Sequence, residues 1–325
     1  HLVLKVSLCA MILILTLALC PALQIFAEEQ TDQTQSIQTV EVGIPVEEHP
    51  ELFLTRSMPT HGEAKIAVFL IQFPDYMNDN PLATREFYNQ LYFGHNVDPD
   101  WIMDTVSNFY YEQSYGKLNI SGQVFDWYTA KHERSYYDNK KAELVLEAAE
   151  YYRAQGVDFS QFDGDGDGVI DTLTYHFTGP ISYNPADSWD HGRMTANHNG
   201  MGMIGDMKLL TLVQIGLTPS STLNTSTTIC HELMHTLGMS DLYGKVYADP
   251  TIDLMASNTP TINPYTKILL GWLDTVKVIT TDAKNVRLDL YGTAEMGDVA
   301  IVTDDFNGFF DEFFVVAYRN TTAVV

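Results

Sequence analysis

The sequence predicts a domain of mixed α/β or α+β class. Three observations carry this reading. Lys65–Phe73 (KIAVFLIQF) is a continuous apolar run closed by Pro-Asp, the pattern of a strand buried on both faces. Residues 138–156 (DNKKAELVLEAAEYYRAQG) have the period of an amphipathic helix, with Leu144, Leu146, Ala149 and Tyr152 expected inside. Beyond Trp272 the runs VKVIT, NVRLDLY, VAIV and EFFVVAY are strand-like. The 325 residues are 45% hydrophobic and 18% charged, so the chain can bury a real core and is too apolar for disorder.

In chain order, an apolar run, Ser7–Cys20, follows Lys5 and is broken by Pro21 before the polar stretch that opens at Glu28. That order is expected of a secretory signal peptide over residues 1–27, with Ala27 at the cut. A run this short favours a cleaved signal over the alternative, an uncleaved anchor, since a membrane span needs about 20 apolar residues. Leu19 before Cys20 argues against lipidation, since such signals carry a small residue there. The expected protein is therefore secreted and extracellular, with no stable membrane association after cleavage. Residues 28–63 are polar and aperiodic and read as a linker or propeptide remnant. The folded domain is expected over 64–325, and its strand-like end, VVAYRNTTAVV, reads as running on into further sequence. Residues 81–94 and 101–116 read as helices stopped near Gly94 and Gly116. Lys117–Tyr128 reads as strand or hairpin, and Val169–Phe177 and Met207–Gly216 as further strands.

Forty-two acidic against 18 basic residues give a net charge of −24. Such a surface repels polyanions, which excludes nucleic acid and anionic membrane as partners and suits cations. Cys9 and Cys20 fall in the leader, so only Cys230 remains in a mature chain and no internal disulfide can form. Cys230 is expected as a small buried hydrophobe.

Ser226–Tyr243 (STTICHELMHTLGMSDLY) contains His231-Glu232-x-x-His235. A helix turns about 100° per residue, so the two imidazoles lie about 40° apart on one face and can share a zinc ion. Glu232 stands beside them, able to reach a water without being a ligand. Thr225 or Ser226 is expected to cap this helix, and Gly238 to end it with a positive φ. The reversal can return Asp241 as a third ligand, leaving one position open. A distant glutamate, Glu295 or Glu312, is the alternative third ligand, disfavoured by strand-like surroundings. HExxH with the glycine and aspartate added is a chance event on the order of one in ten thousand.

Phe162–Asp171 (FDGDGDGVID) sets Asp163, Asp165 and Asp167 at alternate positions before Gly168. This is the first half of an EF-hand-like loop. Val169 can add its carbonyl and Asp171 a carboxylate. The twelfth position is Thr174 rather than a bidentate glutamate, so a structural Ca2+ loop ahead of a strand is expected, not a full EF-hand.

HELMHTLGMSDLY, Asp253-Leu254-Met255 and KILLGWL (Lys267–Leu273) together resemble the immune inhibitor A-type secreted metalloproteases, which are metzincin-like. The resemblance runs through IAVFLIQFPD, SYGKLNISGQVFDWY, FDGDGDGVIDTLTYHFTG and EFFVVAYRN, roughly residues 64–319. It implies a metzincin-like zinc protease domain, a mixed twisted sheet with an active-site helix and backing helices. It also implies Asp241 as the third ligand and Met255 as an apolar floor beneath the metal. Some metzincins have a tyrosine two residues after that methionine; Ser257 stands there, so no tyrosine is assigned to the oxyanion.

The resemblance further implies a zinc endopeptidase acting on protein or peptide substrates through a metal-activated water, with Glu232 as general base. A catalytically inactive, calcium-stabilised adhesion or binding module is the alternative. It is disfavoured because His231, Glu232, His235 and Asp241 are all present. His191 in SWDHGRM gets no assigned role, and Lys267 and Trp272 are expected to pack.

Overall fold

The computed structural model describes residues 37–94, 105–184, 186–216, 222–243, 253–257, 261–280 and 299–317. The expected leader, the run NVRLDLY and Glu295 lie outside the described residues. In chain order the elements are β1 (Ile37–Glu41), α1 (Pro45–Glu48), β2 (Gly62–Gln72), α2 (Arg85–Phe93), α3 (Val106–Gln113), β3 (Leu118–Thr129) and α4 (Lys141–Arg153). There follow β4 (Thr172–Phe177), β5 (Gly192–Ala196), β6 (Gly202–Ile204), β7 (Met207–Leu209), β8 (Thr211–Ile215) and α5 (Thr222–Thr236). Last come α6 (Leu254–Ser257), α7 (Pro264–Leu269), β9 (Thr275–Thr280), β10 (Val299–Thr303) and β11 (Phe314–Ala317).

The described residues fall into two compact units. One holds β1, β9, β10 and β11, a four-stranded sheet in that order. Within it β1 pairs with β9 antiparallel, β9 with β10 parallel, and β10 with β11 antiparallel. The other runs from Val42 to Asp274 and holds every remaining element. The division at Asp274 falls within the segment expected as one domain.

The larger unit is built on a five-stranded sheet in the order β3-β2-β4-β8-β5. Four strands are parallel, and β5 runs antiparallel at the edge. The continuous apolar run of β2 follows from this position: it is a central strand covered on both faces. Ile66, Val68 and Leu70 enter one apolar cluster, and Ala67, Phe69 and Ile71 enter the other, the period of two expected of a strand. The first cluster takes Tyr88, Leu91, Phe109, Tyr110, Leu233 and Trp272 from the helices and loops over that face. The second takes Leu144, Val145, Ala148, Ala149 and Tyr152 of α4.

Several local expectations need correction. Leu146 is half-buried, whereas Val145 and Ala148 are buried, so the inner face of α4 is rotated from the one expected. Met207–Gly216 is two strands in two sheets, broken at Leu210. Of the two readings of Lys117–Tyr128, strand or hairpin, the strand holds: β3 is one strand paired parallel to β2. The helix carrying HExxH begins at Thr222, so neither Thr225 nor Ser226 caps it. Ser226, Thr227 and Thr228 are buried inside it, and burial there overrides their weak helix propensity. The segment expected as linker or propeptide remnant carries β1 and α1, and its Val46 and Met58 are buried in the first cluster.

Helix starts that the sequence leaves unmarked are capped locally. Thr84 accepts from the Phe87 N–H before α2, Thr105 from Asn108 before α3, and Asn263 from Thr266 before α7. Among the described residues no helix is long and apolar enough to cross a membrane.

Gly122 of β3 lies opposite Ile66 of β2, and a Cβ on it would sit 2.0 Å from the Ile66 carbonyl oxygen. Gly122→Ala must therefore push two paired strands apart. It is expected to destabilise the protein by about 1–3 kcal/mol, read as a lower urea midpoint at unchanged slope. An unchanged midpoint would contradict the pairing.

Candidate metal centre

One face of α5 is apolar. Ile229, Cys230, Leu233, Met234 and Leu237 are wholly buried in the first cluster, and the Cys230 carbonyl accepts from the Tyr110 hydroxyl at 2.6 Å. The remaining turn positions carry His231, Glu232 and His235, each more than nine-tenths buried. Beyond the helix, Gly238 takes φ +97°, a conformation glycine reaches without a Cβ clash. Its N–H donates to the His235 carbonyl at 3.0 Å, and the Met239 N–H reaches back to Met234 at 3.3 Å. The chain reverses there and returns Asp241 to the histidines.

The resulting geometry is tight. Asp241 Oδ1 lies 3.0 Å from His231 Nε2 and 3.3 Å from His235 Nε2. Two ligands each about 2.0 Å from one tetrahedral ion are about 3.3 Å apart, so the three atoms have the spacing of a shared zinc. The ring protons agree. His231 Nδ1 lies 2.9 Å from the Leu254 carbonyl and His235 Nδ1 lies 2.7 Å from the Met239 carbonyl. A carbonyl only accepts, so each Nδ1 carries the proton and each Nε2 turns its lone pair to the cluster. These residues fit zinc.

Charge supports the fit. Burial alone would raise the Asp241 carboxyl, but His231 and His235, when protonated, offset it and hold the group well below the usual carboxylate range. Burial alone would lower His235, and Asp241 reverses that so the net shift is upward. The cluster therefore favours positive charge at its centre. Burial also raises Glu232, against the pull of both imidazoles. Glu232 accepts from the Met194 N–H of β5, and a Cβ on neighbouring Gly192 would lie 2.9 Å from its Oε1. Only glycine lets the strand approach the carboxylate this closely.

Met255 is buried in the same cluster as Leu233 and Leu237. Its carbonyl accepts from Leu242 at 2.9 Å, which ties this turn to the segment bearing Asp241. Asp253 holds the turn in shape, accepting from Met255 N–H at 2.8 Å and from both the main chain and side chain of Asn263 at 2.7 Å. Lys267 and Trp272 are buried, as expected, with the Trp272 Nε1 donating to the Thr60 carbonyl. His191 donates from Nδ1 to buried Asp190 at 2.7 Å, packs its ring against Tyr183, and is not a member of the His-His-Asp group.

Sequence reasoning missed five contributors. The Leu254 and Met239 carbonyls that orient the imidazoles leave no trace in residue type, because any residue supplies a carbonyl. Gly192 and Met194 of β5 are 40 and 38 positions from Glu232 in the chain. Tyr243 did leave a signal, two residues past Asp241. Its ring stacks on His231 at 6.2 Å and 17°, and its hydroxyl bonds to Asp241. Burial and that bond push the phenol up to about 12, so it is a donor at neutral pH.

The acidic loop forms a second group. Carboxylate oxygens of Asp163, Asp165 and Asp171 lie within 4.8 Å of one another. Asp163 also accepts from the N–H groups of Gly166, Asp167 and Gly168. Asp167 belongs to the same turn but stands outside that trio, its Oδ1 accepting from the Val169 N–H at 2.8 Å. Val169 forms a bridge with Lys208. Asp171 is fully buried; its Oδ2 accepts from the Lys65 and Gly164 N–H groups while its Oδ1 has no hydrogen-bond partner. Burial pushes its carboxyl up to about 7, with Asp165 and Asp163 adding to the rise against those two N–H groups. A buried carboxylate with one oxygen lacking a partner, gathered with two more carboxylates, fits a hard divalent cation. The strand β4 follows directly, and Thr174 lies buried within it.

Residues 55–179 match the family profile of the immune inhibitor A peptidase M6 catalytic domain. No curated protein sequence matches. Among solved structures, archaemetzincin from Methanopyrus kandleri is similar over 65% of this chain and 94% of that one, at 14% identity and a TM-score of 0.33. A chain from the structure of a chaperone–substrate complex is similar over 63% of this chain and 29% of its own, at 12% identity and a TM-score of 0.29. Neither superposition is close enough to carry an argument. The family match spans β2, β3, β4, their helices and the acidic loop, and ends before α5. The HExxH helix adds a separate stretch of the same unit to that match, and over both stretches the chain is similar to immune inhibitor A-type zinc metalloproteases.

Proposed function

We propose that the protein is a secreted endopeptidase that cleaves peptide bonds at the His231–His235–Asp241 centre with Glu232 as general base. The observation that carries this is the convergence of two bare Nε2 atoms on one Asp241 oxygen beside a buried carboxylate that is not part of the group. Zinc, held by His231, His235 and Asp241, supplies Lewis acidity that acidifies water and polarises the scissile carbonyl.

The chain's own residues do the rest. The Leu254 and Met239 carbonyls hold both imidazoles in the tautomer that leaves Nε2 bare. Glu232, raised by burial, is basic enough to take a proton from the attacking water and acidic enough to return it to the leaving amine. Met255 closes the site from below and excludes solvent. The edge strand β5 borders Glu232, and edge strands offer main-chain groups on which an extended peptide can pair. A protein or peptide substrate laid along β5 has its backbone next to the base. Secretion rests on the apolar run of residues 7–20, placed after Lys5 and broken by Pro21 as in a secretory signal peptide. Calcium at Asp163, Asp165 and Asp171 neutralises three carboxylates in a unit whose described residues include one cysteine, Cys230, buried and free.

Glu232→Ala is expected to keep one zinc per chain and to lose nearly all casein cleavage, a loss on the order of 100-fold or more. Asp241→Ala is expected to lose the zinc itself. Full activity in a clean Glu232→Ala preparation would refute the base, and undiminished zinc affinity in Asp241→Ala would refute the third ligand.

The pH profile follows from the same groups. A carboxylate raised by burial is protonated, and lost as a base, as pH falls through a value above the ordinary one. The acid limb of kcat/KM is therefore expected above the reference glutamate pKa of about 4.3. Activity flat to below that value would contradict the assignment.

Calcium removal by EGTA is expected to lower Tm, because the acidic loop is left with unbalanced repulsion. A Tm indifferent to EGTA, in protein whose zinc content is unchanged, would argue against a loop cation.

A further inference from the structure

The acidic loop and the zinc helix meet through buried polar groups that the proposed hydrolysis does not use. Asp171 and Thr172 follow the loop, and Thr236 is the residue after the ligand His235; all three are fully buried. The Asp171 carbonyl accepts from the Ser57 hydroxyl at 2.6 Å. The Ser57 and Met58 N–H groups both donate to the Thr236 carbonyl at 3.2 Å. Thr211 donates to the Ser57 hydroxyl at 2.5 Å, fixing its proton toward Asp171. A second link is made by side chains. The Thr172 hydroxyl lies 2.5 Å from the Asp171 carbonyl and 3.3 Å from the Thr236 hydroxyl, its one proton serving one of them at a time, and Thr236 donates to the Leu233 carbonyl at 2.7 Å. Two separate routes thus connect positions 171–172 to position 236, in an interior where polar groups keep their partners because losing one is costly.

Asp171 is also the innermost of the three converging carboxylates, and its unpartnered Oδ1 is fully buried. The same residue therefore turns its side chain to the acidic group and its main-chain carbonyl to Ser57. We infer that a divalent cation at Asp163, Asp165 and Asp171 positions the C-terminal end of the zinc helix, through Ser57 and Thr172 acting on Thr236, and so controls how firmly zinc is held. With the loop empty, repulsion among the carboxylates releases the Asp171 carbonyl and the Ser57 anchor on Thr236 loosens. With the loop filled, the helix end carrying His235 is fixed against Asp241. Ser57 and Thr172 are positioning residues; neither touches the zinc ligands' donor atoms. The inference rests on the calcium and zinc readings above.

The test uses zinc-loaded full-length protein freed of calcium by gel filtration. Calcium binding is followed by calorimetry, and zinc release by transfer to a chromophoric chelator well below Tm. Calcium is expected to slow zinc release about fivefold or more. Asp165→Asn, at the exposed tip of the loop, is expected to bind no calcium and to release zinc at the fast rate regardless. The Ser57→Ala/Thr172→Val double variant is expected to bind calcium and keep a calcium-dependent Tm, while its zinc release ignores calcium. Calcium binding without any change in zinc release overturns the coupling and leaves both metal readings standing. A double variant whose release still responds overturns the relay through Ser57 and Thr172. Absence of calcium binding overturns the loop site and the coupling together, and should the double variant fail to fold, the comparison of wild type with Asp165→Asn still decides.

Discussion

The active centre depends on one backbone reversal. Gly238 ends α5 with φ +97°, and within three residues the chain turns back on the helix it has just left. Without that turn, His231 and His235 would be two imidazoles on a buried helix face with no third donor. With it, Asp241 reaches both rings, Met239 offers its carbonyl to His235, and Tyr243 lands on His231. The turn is itself braced from outside: Leu54 N–H donates to the Gly238 carbonyl at 3.0 Å, and the place a Cβ would occupy is walled by Phe53 and Val46 at 3.3 Å.

That bracing explains why the segment before the first long strand belongs to the folded unit. Residues 53–58 supply N–H groups to the carbonyls of Thr236 and Gly238, which the helix cannot satisfy internally because it ends there. A helix end inside a protein needs such partners, and a polar, aperiodic stretch provides them as well as a strand would. The low periodicity of this stretch reflects its work along a helix terminus rather than against a sheet.

The sheet contributes in a different way. Its parallel strands are covered on both faces, which makes β2 a rigid floor common to α4 on one side and to α2, α3 and α5 on the other. The exception is β5, antiparallel and at the edge, and it is this strand that meets Glu232. A closed core and an antiparallel edge strand are thus combined in a single sheet, with the base beside that strand.

The sequence alone determined the composition of the site. The spacing of His231, Glu232 and His235 is a property of helix period, and the positive φ at Gly238 follows from glycine's lack of a Cβ, so both were legible without coordinates. The same holds for β2, whose uninterrupted apolar run has one natural explanation in a sheet covered twice. Tertiary structure alone decided where α5 begins, because the Ser-Thr run before His231 is a poor helix former that burial makes helical. It decided the inner face of α4, which a neighbouring sheet selects from several apolar stripes. It also decided which carboxylates of the acidic loop converge, bringing Asp171 in beside Asp163 and Asp165 and leaving Asp167 to its own turn. The physical reason is common to all three: periodicity and spacing are local, whereas burial and the partners of main-chain carbonyls are set by segments far away in the chain.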